Sequence, residues 1–120
     1  MQRLQEEQAH EGEAAAFALE LVRGVQQRRD ELDHRIRRFA PLFPVEQLSI
    51  IDRTLLRLAI YEVLFSQKTP PKVAINEAVE LAKLFGSESS PRFINGVLGS
   101  VMEDLQESGA APTQTNREAR

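Results

Sequence analysis

Pro71-Lys72-Val73-Ala74-Ile75-Asn76-Glu77-Ala78-Val79-Glu80-Leu81-Ala82-Lys83-Leu84-Phe85-Gly86 is the stretch whose reading decides the fold. Pro71 suits the first turn of a helix, where a missing N–H leaves no bond unmade. Val73, Ala74, Ala78, Leu81, Ala82 and Phe85 recur at helical spacing and are expected to face inward, with Glu77, Glu80 and Lys83 outward. Glu80 and Lys83 are placed to pair on the helix surface, at roughly 0.2–0.5 kcal/mol. Gly86 is expected to supply the left-handed residue that ends helices.

Working outward, Gln67-Lys68-Thr69-Pro70-Pro71 is a turn, and a helix from about Val45 to Phe65 precedes it. Its Leu48, Ile51, Leu55, Leu58, Ala59 and Val63 make an apolar face that Ile50, Leu56, Ile60 and Leu64 widen, the pattern of a helix buried on several sides. Downstream, Ser90-Pro91 reads as N-cap and first helical residue of a helix to about Leu105, with Phe93, Ile94, Val97, Leu98, Val101 and Met102 apolar. Gly96 and Gly99 weaken that helix by about 1 kcal/mol each relative to Ala, which suggests a closely packed neighbour helix. Upstream, Phe17, Leu21, Val25, Leu32, Ile36 and Phe39 share one stripe of a helix from Glu13 to Phe39, closed by Pro41 and Pro44. No useful period-2 run and no internal repeat occurs. The expected fold is all-α, a helical bundle of four main helices. Residues 1–12 read as a polar tail, 13–106 as the helical domain and 107–120 as a disordered tail.

Composition narrows the functional classes. A chain of 120 residues, 42% hydrophobic and 28% charged, suits one domain. No stretch approaches the ~18 consecutive apolar residues of a membrane span. The acidic, Gln-rich start from Met1 to Glu13 has no apolar core of a secretory signal. Zero cysteines exclude disulfide scaffolds, thiol catalysis and Cys-type zinc sites, and the expected compartment is the cytoplasm. A net charge of −3 advertises no global attraction to nucleic acid, so an RNA site must be a local patch.

Catalytic constellations are nearly absent. His10 lies in a polar stretch and His34 among arginines, and a metal site needs several converging ligands. Gly96-Val97-Leu98-Gly99 lies inside a helix and is no phosphate loop. The serines lack a His/Asp partner pattern, and Glu103 and Asp104 point in different directions. No enzyme, cofactor or metal is expected. Arg23, Arg28, Arg29, Arg35, Arg37 and Arg38 read first as a solvent face and second as an RNA surface. Arg92-Phe93 is more pointed: a cation and a ring at a helix start can hold a phosphate and stack an unpaired base, unless Phe93 is simply the first core residue. Asn76 and Asn95, poor helix formers inside helices, are expected to bond a neighbouring helix end or loop.

Three motifs carry a family resemblance. Leu55-Leu56-Arg57-Leu58-Ala59-Ile60-Tyr61-Glu62-Val63-Leu64, then Pro71 to Gly86, then Arg92-Phe93-Ile94-Asn95-Gly96-Val97-Leu98 resemble, in order and spacing, the C-terminal half of the NusB family of bacterial transcription antitermination factors. The resemblance covers about Val45 to Val101, and the helix from Glu13 to Phe39 fits the family's long central helix in pattern. NusB proteins usually begin with an arginine-rich helix and a short second one. Met1 to Gly12 holds only Arg3 among lysines and arginines, so the family's first small bundle is expected to be largely missing, through a late start codon or a truncated form. The resemblance implies binding of boxA in nascent ribosomal RNA together with NusE, a small-subunit ribosomal protein, within the transcribing RNA polymerase complex. It places Arg92 and Phe93 on the RNA side and Glu46 and Asp52 on the NusE side. Two alternatives stand beside it: a protein-only adaptor for NusE, and a fragment of the NusB-like module of an rRNA methyltransferase. Loss of first-bundle neighbours would also expose the stripe through Phe17, Leu21 and Val25 and favour self-association.

Overall fold

The computed structural model describes residues 2–108, with side chains from residue 6 onward; the expected tail beyond residue 108 lies outside them. Five α-helices form an all-α bundle: α1 (Gln2–Gln27), α2 (Arg29–Phe39), α3 (Ile50–Tyr61), α4 (Pro71–Phe85) and α5 (Ser90–Glu107). The expected helix from Glu13 to Phe39 is therefore two helices, and helical structure extends back through the stretch read as a polar tail. Arg28 leaves helical geometry (φ −114°, ψ 21°). Its N–H still bonds the Gly24 carbonyl at 3.1 Å and its carbonyl accepts from Leu32 at 2.9 Å, so the junction is a bend rather than a break. The bend reconciles two packings. α1 lies against α3, whereas α2 turns Leu32 and Ile36 fully into the core between α3 and α5.

Close helix approach falls at Gly24, where an added methyl would overlap the Tyr61 ring of α3. It does not fall at Gly96 or Gly99, where nothing lies within 4 Å of a built Cβ. The reading of those two glycines as a helix-packing seam is thus corrected: they lie on an open face of α5. Asn76 and Asn95 are exposed as well, and their side chains make no hydrogen bond among the described residues, so they tie no neighbouring element.

The expected helix from Val45 to Phe65 resolves into a 3₁₀ turn (Val45–Gln47), α3 and a π turn (Glu62–Ser66). Ser49 caps α3 by accepting from the Asp52 N–H at 3.1 Å, which leaves Val45–Gln47 as a separate turn. The π turn closes when the Gln67 N–H reaches the Glu62 carbonyl at 2.9 Å. Gln67 then adopts the left-handed conformation (φ 56°), and the chain reverses toward Pro70-Pro71. Leu55, Leu56, Ala59, Ile60 and Val63 are buried as expected, but Ile50, at the first position of α3, is 68% exposed. Asp33 of α2 and Arg57 of α3, both largely buried, form a two-pronged pair: Nε donates to Oδ1 at 2.7 Å and Nη2 to Oδ2 at 2.9 Å. This pairing fixes the register of α2 on α3.

α4 meets its neighbours mainly through Ala74, Ala78 and Ala82, with Ile75 beside them. Small side chains at i, i+4 and i+8 let the helices approach, and they select that face for burial. Val73, Leu81 and Phe85, expected inward, consequently face outward, Phe85 at 65% exposure. The Glu80–Lys83 pair is present at 2.8 Å. Gly86 is extended (φ −93°, ψ −170°) rather than left-handed, and the space beside it is what calls for glycine. A Cβ there would lie 2.6 Å from the Ser90 side chain. Ser90 is the first residue of α5 rather than its cap, and its buried hydroxyl accepts the Ser87 N–H at 2.9 Å. α5 buries Ile94, Val97, Leu98, Val101 and Leu105.

Candidate functional site

The end of α2, the loop after it and the first turns of α5 enclose an open groove of about 330 Å³, lined by Phe39, Ala40, Pro41, Leu42, Phe43, Arg92, Phe93, Gly96 and Val97. Prolines at 41 and 44 keep this segment out of α-helix, and Leu42 and Phe43 are 85% and 49% exposed while the flanking Ala40 and Val45 are buried. Phe93 is half-buried against the core and meets Phe43 edge to face, with ring centroids 5.1 Å apart and planes at 70°. Phe93 packs inward, as a first core residue of the helix would, and its ring also lines the groove. The Arg38 guanidinium stands 5.0 Å above the Phe39 ring and pairs with Asp104 of α5 at 2.8 Å, holding the groove's two walls together.

Arg92 is exposed and has no hydrogen-bond or ion-pair partner among the described residues. It also borders a neighbouring hollow of about 400 Å³ with Ser87, Glu88 and Ser89. Most of the arginine-rich stretch is engaged: Arg28 and Arg35 with Glu31 at 3.2 and 3.8 Å, Arg37 with Glu46 at 3.2 Å. Arg28 and Arg35 also stand over the Phe65 ring, at 4.2 and 5.8 Å. Arg23 and Arg29 are also without a side-chain partner among the described residues, but of the residues lining the groove only Arg92 carries a guanidinium, and it stands beside the stacked rings.

Glu46 and Asp52 are not joined by any hydrogen bond or ion pair among the described residues, and they belong to different elements. Glu46 is exposed in the 3₁₀ turn. A bond from its own backbone and the Arg37 guanidinium hold its carboxyl below the usual 4.5. Asp52 is half-buried in the first turn of α3, and its Oδ1 is buried without a partner. An acid there also favours the helix dipole, so Asp52 has a structural role besides any binding role. Among the described residues no three His, Cys, Asp or Glu side chains gather as a metal site, and none of their helices is long and apolar enough to cross a membrane.

Phe43 and Leu42 escaped the sequence reading. Their signal was two large apolar residues between prolines in a loop, where exposed apolar side chains have no core to serve.

Fold and groove together define an all-α bundle with a surface groove of aromatic rings and guanidinium groups. The chain belongs to the NusB family, whose family model matches residues 1–103. It is 52% identical over 108 residues to the transcription antitermination protein NusB of Dehalococcoides mccartyi (strain ATCC BAA-2266 / KCTC 15142 / 195), covering 90% of this chain and 76% of that protein. The protein of the same name from Symbiobacterium thermophilum is 44% identical over 108 residues, covering 90% and 71%. The solved structure of T. maritima NusB superposes with a TM-score of 0.72 at 37% identity, over 76% of this chain. The match spans 64% of the T. maritima chain, under two thirds of its length. The relatives are named as antitermination proteins, not as enzymes.

Proposed function

We propose that this chain is a non-enzymatic, cytoplasmic RNA-binding antitermination factor that binds boxA of nascent ribosomal RNA together with NusE and supports read-through by RNA polymerase. The observation that carries the reading is the unpartnered Arg92 guanidinium beside the Phe43–Phe93 ring pair. That arrangement suits single-stranded RNA, in which a phosphate pairs with the cation and an unstacked base lies on a ring. Glu46 and Asp52 are the proposed acidic contacts for basic NusE, and residues 13–106 the proposed NusB-like domain. With net charge −3, RNA affinity of the chain alone is expected to be weak and to rise when NusE adds positive surface.

The test is a fluorescence-anisotropy titration of a boxA oligonucleotide at two salt concentrations, with and without NusE. Salt-sensitive binding that tightens with NusE supports the proposal. No RNA binding in either case, with NusE still bound, favours the protein-only adaptor. On the partner side, Asp52→Lys should weaken NusE binding more than Asp52→Ala, since reversal adds repulsion to the lost attraction. Thermal melts of both variants control for the lost helix-end acid, and equal calorimetric affinity of all three proteins would remove Asp52 from the interface.

A further inference from the structure

We propose that Phe43, rather than Phe93, is the surface on which an unpaired nucleobase stacks, with Arg92 taking a flanking phosphate; the inference rests on the RNA reading above. Phe93 is poorly placed for the task. Its ring is half-buried against the core, and the Phe43 ring already meets it edge to face at 5.1 Å. Phe43 is half exposed on a loop outside the helices, and the contact that steadies it comes from Phe93. A ring held from one side and open on another is a preorganised platform, so little conformational freedom remains to be lost when a planar ligand settles on it.

The groove's surroundings choose between a base and an apolar protein side chain. Arg92 borders the same groove with no internal partner, whereas the Arg38 guanidinium over Phe39 is already neutralised by Asp104, so the groove's unanswered charge is that of Arg92. An apolar peptide side chain would leave Arg92 without a counter-charge. A nucleotide brings a flat ring and a phosphate together, which matches both features. Gly96 extends the groove wall with no Cβ and nothing within 4 Å of where one would stand, leaving room for a flat ligand.

The chain has no tryptophan, so Phe43→Trp introduces a single, selectively excitable tryptophan at the proposed platform. The experiment titrates this variant, Phe43→Leu and the wild type with a boxA oligonucleotide in the presence of NusE, and with inorganic polyphosphate as a probe carrying charge but no base. Circular-dichroism melts establish that each variant is folded. The expected result is RNA affinity at least about fivefold weaker for Phe43→Leu, the lower end of what losing a base stack brings. Phe43→Trp should keep affinity, with its emission quenched by RNA and not by polyphosphate. Unchanged affinity of Phe43→Leu together with unquenched Phe43→Trp emission, while the wild type binds RNA, overturns this inference and leaves the antitermination reading standing. Quenching by NusE alone overturns it in favour of a protein-docking groove. Failure of the wild type to bind RNA under any condition overturns both.

Discussion

Gly96 makes the residue-scale case, because a glycine inside a helix costs about 1 kcal/mol relative to alanine and needs a reason. The nearest reason, a helix packed against it, is absent: the position is open. Gly96→Ala should therefore stabilise the protein by up to about 1 kcal/mol, raising the melting temperature by several degrees. The same methyl enters the groove wall, so RNA binding should weaken as stability rises. Opposite movement of the two quantities, read by thermal melts and anisotropy, identifies a residue kept small for a ligand; unchanged RNA affinity would take Gly96 out of the ligand's path. At this scale the sequence was partly legible. Arg92 and Phe93 stand out as a cation and a ring at a helix start. Phe43 does not, because nothing local says which loop side chain will reach across to α5.

At the scale of elements, the pair between Asp33 and Arg57 decides how α2 lies on α3. Removing one partner strands a buried charge, so Arg57→Met should destabilise the protein by about 3 kcal/mol. Asp33→Leu with Arg57→Met should recover most of that loss, since two apolar side chains leave no ion unpaired. Denaturant unfolding of Arg57→Met, Asp33→Leu and the double variant measures it, and additive losses would show that the pair does not act as a unit. The π turn carries a second electrostatic consequence. Burial of Glu62, reinforced by the Glu77 carboxylate and only partly offset by a bond from Thr69, raises its carboxyl above the ordinary 4.5. The folded chain then holds this proton more tightly than the unfolded chain. Stability accordingly falls as pH rises from 4.5 through the raised value, and below 4.5 both states are protonated and the effect vanishes. Glu62→Gln should melt higher than the wild type at pH 7, with the difference closing below pH 4.5; a difference independent of pH would assign the gain to packing. Helical periodicity found helix-forming sequence in each of the five helices but read α1 and α2 as one, and it could not locate the ends. It missed the bend at Arg28, which is set by different neighbours on either side, and the π turn, which depends on a hydrogen bond one residue longer than the pattern assumes.

Over the whole molecule, α1 is the outlier. Residues 6–16 are exposed on every side, and Leu19 and Val22 are about half exposed. The stripe expected to lie open, through Phe17, Leu21 and Val25, is instead half-buried. A helix of this kind gains little from its own propensity, since most helical stability in proteins comes from packing one face. Self-association through the outer face of α1 is the expected consequence, with Leu19→Glu plus Val22→Glu reducing it. Light scattering across a concentration series measures this, and a monomer at every concentration would count against it.

The sequence by itself determined the class of fold, the approximate helices and the family. These follow from the spacing of apolar residues, from prolines and from long motifs, all of which are local along the chain. Only the tertiary structure decided which face of each helix is buried and which glycine is crowded. Alanines at 74, 78 and 82 turned Leu81 and Phe85 outward, and Gly24, not Gly96, accepted the close neighbour. Only the tertiary structure, too, brought Phe43 to Phe93 and left Arg92 alone beside them. Periodicity states that a helix has an apolar side, but the packing of side-chain volumes from distant segments chooses which part of that side is closed and which stays open to a partner.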